Sequence, residues 1–248
     1  MGNWSIKVLN YGVAECPKDV FTIGLDVGLK IRIPYLGFLL QDGEHTVLVD
    51  TGINDRFIVD GKALGGVLAD AGVRYVLNSL EKQNVKPEDI EIVLVTHLHY
   101  DHIALARLYK NARFIVQKTE LEYALNPHPL DAFFYDRDTF EGIDMDLVEG
   151  EKEIIPGVSV FQTPGHTPGG QSVEIETVAG KVIIAGLCAE PETFEVTEEM
   201  TRRKWAASAP LIHQDVRVAY DSVLHIKNRG GMIIAMHDPA HRGRNRLP

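Results

Sequence analysis

A chain of 248 residues that is 45% hydrophobic has enough apolar material for one large core, so a single domain spanning 1–248 is expected. The formal charge of −10 disfavours a nucleic-acid partner, which would call for a basic face, and no apolar run approaches the ~18 residues needed to cross a bilayer. Cys16 and Cys188 are too few for a disulfide framework, and Met1 to Asn10 lacks a cationic segment leading into an apolar one, so a cytoplasmic location is expected.

Trp4 to Leu9 alternates as an opening strand. Tyr11 to Ile33 carries glycines and Cys16-Pro17, and reads either as a long loop near a site or as a plain hairpin connection. Pro34 to Leu40 and His45 to Val49 flank Gln41-Asp42-Gly43-Glu44, a hairpin with Asp-Gly in its turn, which leaves His45 at the exposed end. Asp50 closes the second strand, where its carboxylate either accepts a ring N–H and orients a ligand or caps the next turn. Asn54 to Val67 is glycine-rich and irregular. Val73 to Gln83 shows a helical apolar stripe, Pro87-Glu88-Asp89 reads as a short helical start, and Ile90 to Val95 as a buried strand.

That strand ends in Thr96-His97-Leu98-His99-Tyr100-Asp101-His102. Strand-end loops are where sites are usually built. His97 and His99, two residues apart in extended backbone, point to the same side, while Asp101 and His102 add an oxygen and a nitrogen of a different set. Four such side chains in six residues exceed what one metal ion easily uses. A helix is then expected to begin in Ile103 to Leu108, its N-terminus facing the metals. Arg113 to Gln117 follows as a strand and Lys118 to Leu125 as a helix.

Residues 126–150 are acidic and aromatic, with Phe133, Phe134, Tyr135 and Phe140. They read either as a wall of an apolar pocket or as a satellite core, with His128 on the surface. Gly157 to Gln162 is a strand delivering Pro164-Gly165-His166, whose tight path aims His166. Ser172 to Glu176 and Lys181 to Ala185 form a hairpin around Ala179-Gly180. Pro191 to Ser208, with Trp205, suggests a second wall. Leu211 to Ile226 reads as an amphipathic helix carrying His213 and His225 on its surface, Met232 to Met236 as a last strand delivering His237, and Arg242 to Arg246 as a solvated basic end.

The Thr96–His102 string resembles the metal-binding signature of the metallo-beta-lactamase superfamily. Val47-Leu48-Val49-Asp50-Thr51-Gly52, Thr163-Pro164-Gly165-His166-Thr167-Pro168-Gly169 and Met232 to Pro239 are similar to its other stations in order, so the likeness runs from about Asn3 to Pro239. It implies an α/β class fold, a four-layer αββα sandwich with metals at the edge of two sheets. It also implies His97, His99 and His166 around one ion and Asp101, His102 and His237 around another. Where the family usually places a bridging aspartate after Ala185-Gly186, this chain has Leu187-Cys188-Ala189-Glu190. Cys188 as a thiolate ligand, Cys188 as a buried apolar residue and Glu190 as a substitute all stay open there.

Two divalent ions are implied, zinc by default and iron or manganese as alternatives. They would lower the pKa of a shared water to give a hydroxide and polarise a carbonyl, with Asp101 passing a proton to the leaving alkoxide. Within the superfamily the likeness is strongest to the N-acyl homoserine lactone lactonases, the quorum-quenching enzymes. It implies hydrolysis of a lactone or related cyclic ester, a small molecule whose apolar tail lies against Phe133 or Phe134. Thioester or beta-lactam hydrolysis and a di-iron redox enzyme are the alternatives; Ala104-Leu105-Ala106, where the family's hydrolases often carry glycines, weighs against a thioesterase. A homodimer through an apolar excursion is left open.

Overall fold

The computed structural model describes residues 4–244, 246 and 247. Among the described residues twelve strands form two sheets. The first runs β4 (Leu68–Ala71), β1 (Ser5–Pro17), β2 (Lys30–Gln41), β3 (Thr46–Val49), β5 (Ile92–Leu94), β6 (Arg113–Gln117), β7 (Met145–Val148). The second runs β12 (Met232–Ala235), β11 (Gly180–Ala185), β10 (Gln171–Thr177), β9 (Val158–Gln162), β8 (Lys152–Ile155). β3, β5, β6 and β7 pair in parallel, and the first three read as short unbroken apolar runs because both of their faces are covered.

Three apolar clusters separate the layers. Ile6, Phe38, Val49 and Leu94 meet Val160, Val173, Ile184 and Ile234 between the sheets. Leu39, Leu48 and Val93 face outward onto α1 (Val73–Glu81) through Val76 and Leu80. On the opposite side Phe161, Ile183 and Ala235 pack on Val223 and Ile226 of α7 (Val216–Arg229). The order is therefore helix, sheet, sheet, helix, the four-layer α/β arrangement expected. The remaining helices are α2 (Tyr100–Ile103), α3 (Lys118–Ala124), α4 (Arg137–Phe140), α5 (Pro191–Phe194) and α6 (Glu198–Arg203). None of the described helices is long and apolar enough to cross a membrane.

Several elements differ from their sequence reading. β1 continues to Pro17 and β2 begins at Lys30, so both readings hold in part: the glycine-bearing stretch supplies the arms of a long hairpin, and residues 18–29 form a loop whose Val20 and Phe21 line the cavity described below. Gly12 there marks a register shift, not a loop: it holds φ 129°, and a Cβ would lie 2.3 Å from that of Ala71. The helix expected from Ile103 instead starts at Tyr100 and lasts one turn. The His102 carbonyl, which would extend it, already accepts from Thr51 N at 2.7 Å and Thr51 Oγ1 at 3.0 Å. α7 starts at Val216, because the Asp215 carboxylate caps Arg217 N and Val218 N; His213 therefore lies in the preceding loop. β4, β7 and β8 lie in stretches that gave no strand signal.

Candidate metal centre

Loops from both sheets converge at one edge. β3 ends in Asp50, fully buried at φ 58°, whose Oδ1 accepts from Thr96 N at 2.8 Å and whose Oδ2 accepts from Thr96 Oγ1 and His102 Nδ1, both at 2.7 Å. One carboxylate thus fixes the start of the His97–His102 segment and the ring of its last residue. His166 follows β9 on a loop pressed against α7, where a Cβ on Gly165 would meet Ala219 N at 2.1 Å. His237 follows β12, its amide donating to Ala189 O at 3.2 Å.

The outer ring nitrogens set the tautomers. His166 Nδ1 donates to Ile212 O at 2.6 Å, His237 Nδ1 to Pro34 O at 3.1 Å and His102 Nδ1 to Asp50. Thr96 Oγ1 gives its proton to Asp50, so His97 Nδ1, 3.0 Å away, donates to that oxygen. On His97, His166 and His237 the Nε2 is left with a bare lone pair. His97 Nε2 and His166 Nε2 face each other at 3.2 Å, a repulsive approach of two lone pairs that a cation between them relieves. This donor set fits a metal ion.

His97, His99 and His166 offer ligand atoms within 4.8 Å of one another, and Asp101, His102 and His237 do the same. The groups adjoin, with His97 and His102 ring centroids 4.0 Å apart. Burial, reinforced by neighbouring imidazoles, pushes His97 and His99 well below the usual histidine range. Burial likewise brings His166 down to about 4 and lowers His237. Neutral imidazoles are the form that binds metal. His102 goes the other way: burial would lower it, but Asp101 and Asp50 together raise it to about 9. The carboxylates that hold a proton there attract a divalent cation at the same nitrogen.

A cavity of about 290 Å³ opens over both groups, walled by Phe21, Tyr35, Leu64, Phe133, Phe134 and Ile212. Phe134 stacks on His99 with centroids 4.7 Å apart, so part of 126–150 is a pocket wall, while Phe140 is core. Tyr35 and Tyr100 also line the cavity; burial first, then Asp101, raises both phenols, which stay protonated as donors. Trp205 is not a second wall: it borders a separate cleft with Ile23 and Tyr220. His241 is buried beside Asp238, 3.3 Å away, and does not line the cavity.

Cys188 lines the cavity but belongs to neither ligand group among the described residues. It packs in the outer apolar cluster, and burial pushes its thiol well up. Glu190 begins α5 beyond the cavity. The Ile212 and Pro34 carbonyls that orient two rings gave no sequence signal, being backbone atoms. Tyr35 sits mid-strand, where no local motif marks it.

A family model described as the metallo-beta-lactamase superfamily matches residues 35–236. The chain is 26% identical over 211 residues to N-acyl homoserine lactonase AiiA of Bacillus thuringiensis subsp. kurstaki, covering 82% of this chain and 79% of that protein. It is 25% identical over 249 residues to N-acyl homoserine lactonase AttM of Rhizobium radiobacter, covering 94% and 93%. Among solved structures, an N-acyl homoserine lactone hydrolase with the product N-hexanoyl-L-homoserine bound at its catalytic metal centre superposes with a TM-score of 0.80. The sequence identity is 25%, over 98% of this chain and 96% of that one.

Proposed function

The chain belongs to the metallo-beta-lactamase superfamily, and on that premise we propose that it is a metal-dependent hydrolase that opens the ring of N-acyl homoserine lactones. The observation that carries this reading is the pair of adjoining ligand groups, with Nε2 lone pairs facing inward, on the floor of a cavity whose walls are apolar. The relatives with these activities in their names supply the substrate class.

In this reading His97, His99 and His166 hold one divalent ion and Asp101, His102 and His237 a second; zinc suits sets this rich in imidazole. Bound there, the ions supply a Lewis acid for the lactone carbonyl and a water of lowered pKa. Asp50, Ile212 and Pro34 hold the rings in the binding tautomer. Asp101, whose Oδ2 lies 3.5 Å from His102 Nε2, takes the proton from the attacking water and returns it to the ring oxygen as the acyl C–O bond breaks. Tyr35 and Tyr100 donate hydrogen bonds to the substrate, and Phe133, Phe134 and Leu64 receive its acyl chain. The product is an N-acyl homoserine, a hydroxy acid one water heavier than the lactone.

The test is turnover by zinc-loaded protein of an N-acyl homoserine lactone, an unsubstituted γ-lactone, a thioester and a beta-lactam, read by acid release and product mass. The N-acyl lactone is expected to react fastest, giving only the ring-opened acid. Thioester turnover without turnover of any lactone would overturn the assignment.

A further inference from the structure

We propose that Glu120 is a positioning residue for the first ligand group, its carboxylate tying the loop that bears His97 and His99 to the loop that bears His166. Glu120 lies in the first turn of α3 and is fully buried. Its Oε1 accepts from Leu98 N at 2.9 Å, the amide between the two histidines of the first loop. Its Oε2 accepts from Gly169 N at 3.1 Å, three residues beyond His166 in the second. A buried carboxylate is costly unless its oxygens are hydrogen-bonded, and here the two oxygens are satisfied by amides of two different ligand-bearing loops.

The same contact explains the glycine. A Cβ on residue 169 would lie 2.1 Å from Glu120 N, so the His166 loop rests directly on the start of α3. From there Gln171 continues the tie, its backbone amide donating to Thr96 O at 2.9 Å and its side chain to Val95 O at 2.7 Å. The 3.2 Å separation of His97 Nε2 and His166 Nε2 depends on how these two loops sit relative to each other. The second group does not depend on this tie in the same way: His102 is fixed by Asp50, and His237 comes from β12. Loss of the Glu120 bridge therefore loosens the first group selectively. A glutamine cannot replace it, because its single carbonyl oxygen accepts one amide while its NH2 confronts the other.

The inference rests on the reading that His97, His99 and His166 hold an ion. Metal-free wild type, Glu120→Gln, Glu120→Ala and His166→Ala are titrated with Co(II), reading the visible absorption and the bound metal, alongside thermal melting without metal. Wild type is expected to take up two equivalents. Both Glu120 variants should bind one of them about tenfold or more weakly. The altered absorption should be that of the equivalent perturbed in His166→Ala, while the other binds as in wild type. Unchanged binding of both equivalents in the Glu120 variants would overturn the proposal, as would equal weakening of both in step with a lowered melting temperature. If Glu120→Ala fails to fold, the isosteric Glu120→Gln carries the test. Wild type that binds no Co(II) would instead remove the metal-centre reading itself.

Discussion

Cys188 and Glu190 share one strand-end turn, yet the structure gives them different surroundings. Cys188 has apolar neighbours and a thiol held protonated by burial, and its sulfur stands outside both ligand groups. Cys188→Ala is therefore expected to leave two bound ions per chain by elemental analysis; loss of one would return it to the ligand set. Glu190 carries a buried Oε1 without a hydrogen-bond partner among the described residues. Burial, then Glu192, raises its carboxyl to about 7, against the partial opposition of Lys18. The folded chain thus holds this proton more tightly than the unfolded chain, whose carboxyl titrates near 4.5. The associated stability is complete below that value and is lost as pH rises through about 7. Glu190→Gln, which keeps a cap acceptor and cannot ionise, should raise the unfolding free energy at pH 8 by about 1–3 kcal/mol and change it little at pH 5. Urea unfolding at the two pH values reads the difference.

At the scale of elements, the placement of His166 turns on the contact between its loop and α7. Gly165 holds φ 114° with Ala219 N directly against it, and Gln214 N and Asp215 N both donate to its carbonyl. Gly165→Ala must displace either the loop or the helix, and should destabilise the fold by about 2–4 kcal/mol while weakening one metal equivalent; denaturation and metal titration on the same variant measure both. An alanine variant with wild-type stability and affinity would show that the loop is not held by this approach. The same contact shows what a sequence reveals. Histidines and an aspartate crowded at the end of an apolar strand are legible because side-chain chemistry and strand periodicity are both local. Gly12 was not legible as a bulge, nor Glu120 as more than one charge on a short helix, because each is defined by a partner far along the chain. α2 stopped after one turn for a similar reason: the competing donors on the His102 carbonyl come from Thr51, across the sheet.

For the whole molecule, the two sheets bring strand ends from β3, β5, β9 and β12 to one edge, so that loops far apart in sequence build one cavity on a rigid base. Around it the chain carries a formal charge of −10. A field of that sign acts on charged ligands over about a Debye length, about 30 Å at 0.01 M salt and about 3 Å at 1 M. An N-acyl homoserine lactone is uncharged, and its encounter with the cavity is not steered by this field. The ring-opened acid is an anion, which the field pushes outward once it has left the metal centre. The salt dependence of kcat/KM therefore reports the charge of the true substrate. For a neutral lactone it should stay within about twofold between ~0.02 M and ~0.5 M NaCl. For a charged substrate it would change steadily as the field of the chain and of its bound ions is screened. A clear slope of either sign with the best substrate found would mean that a charged molecule, not a lactone, is what this cavity selects.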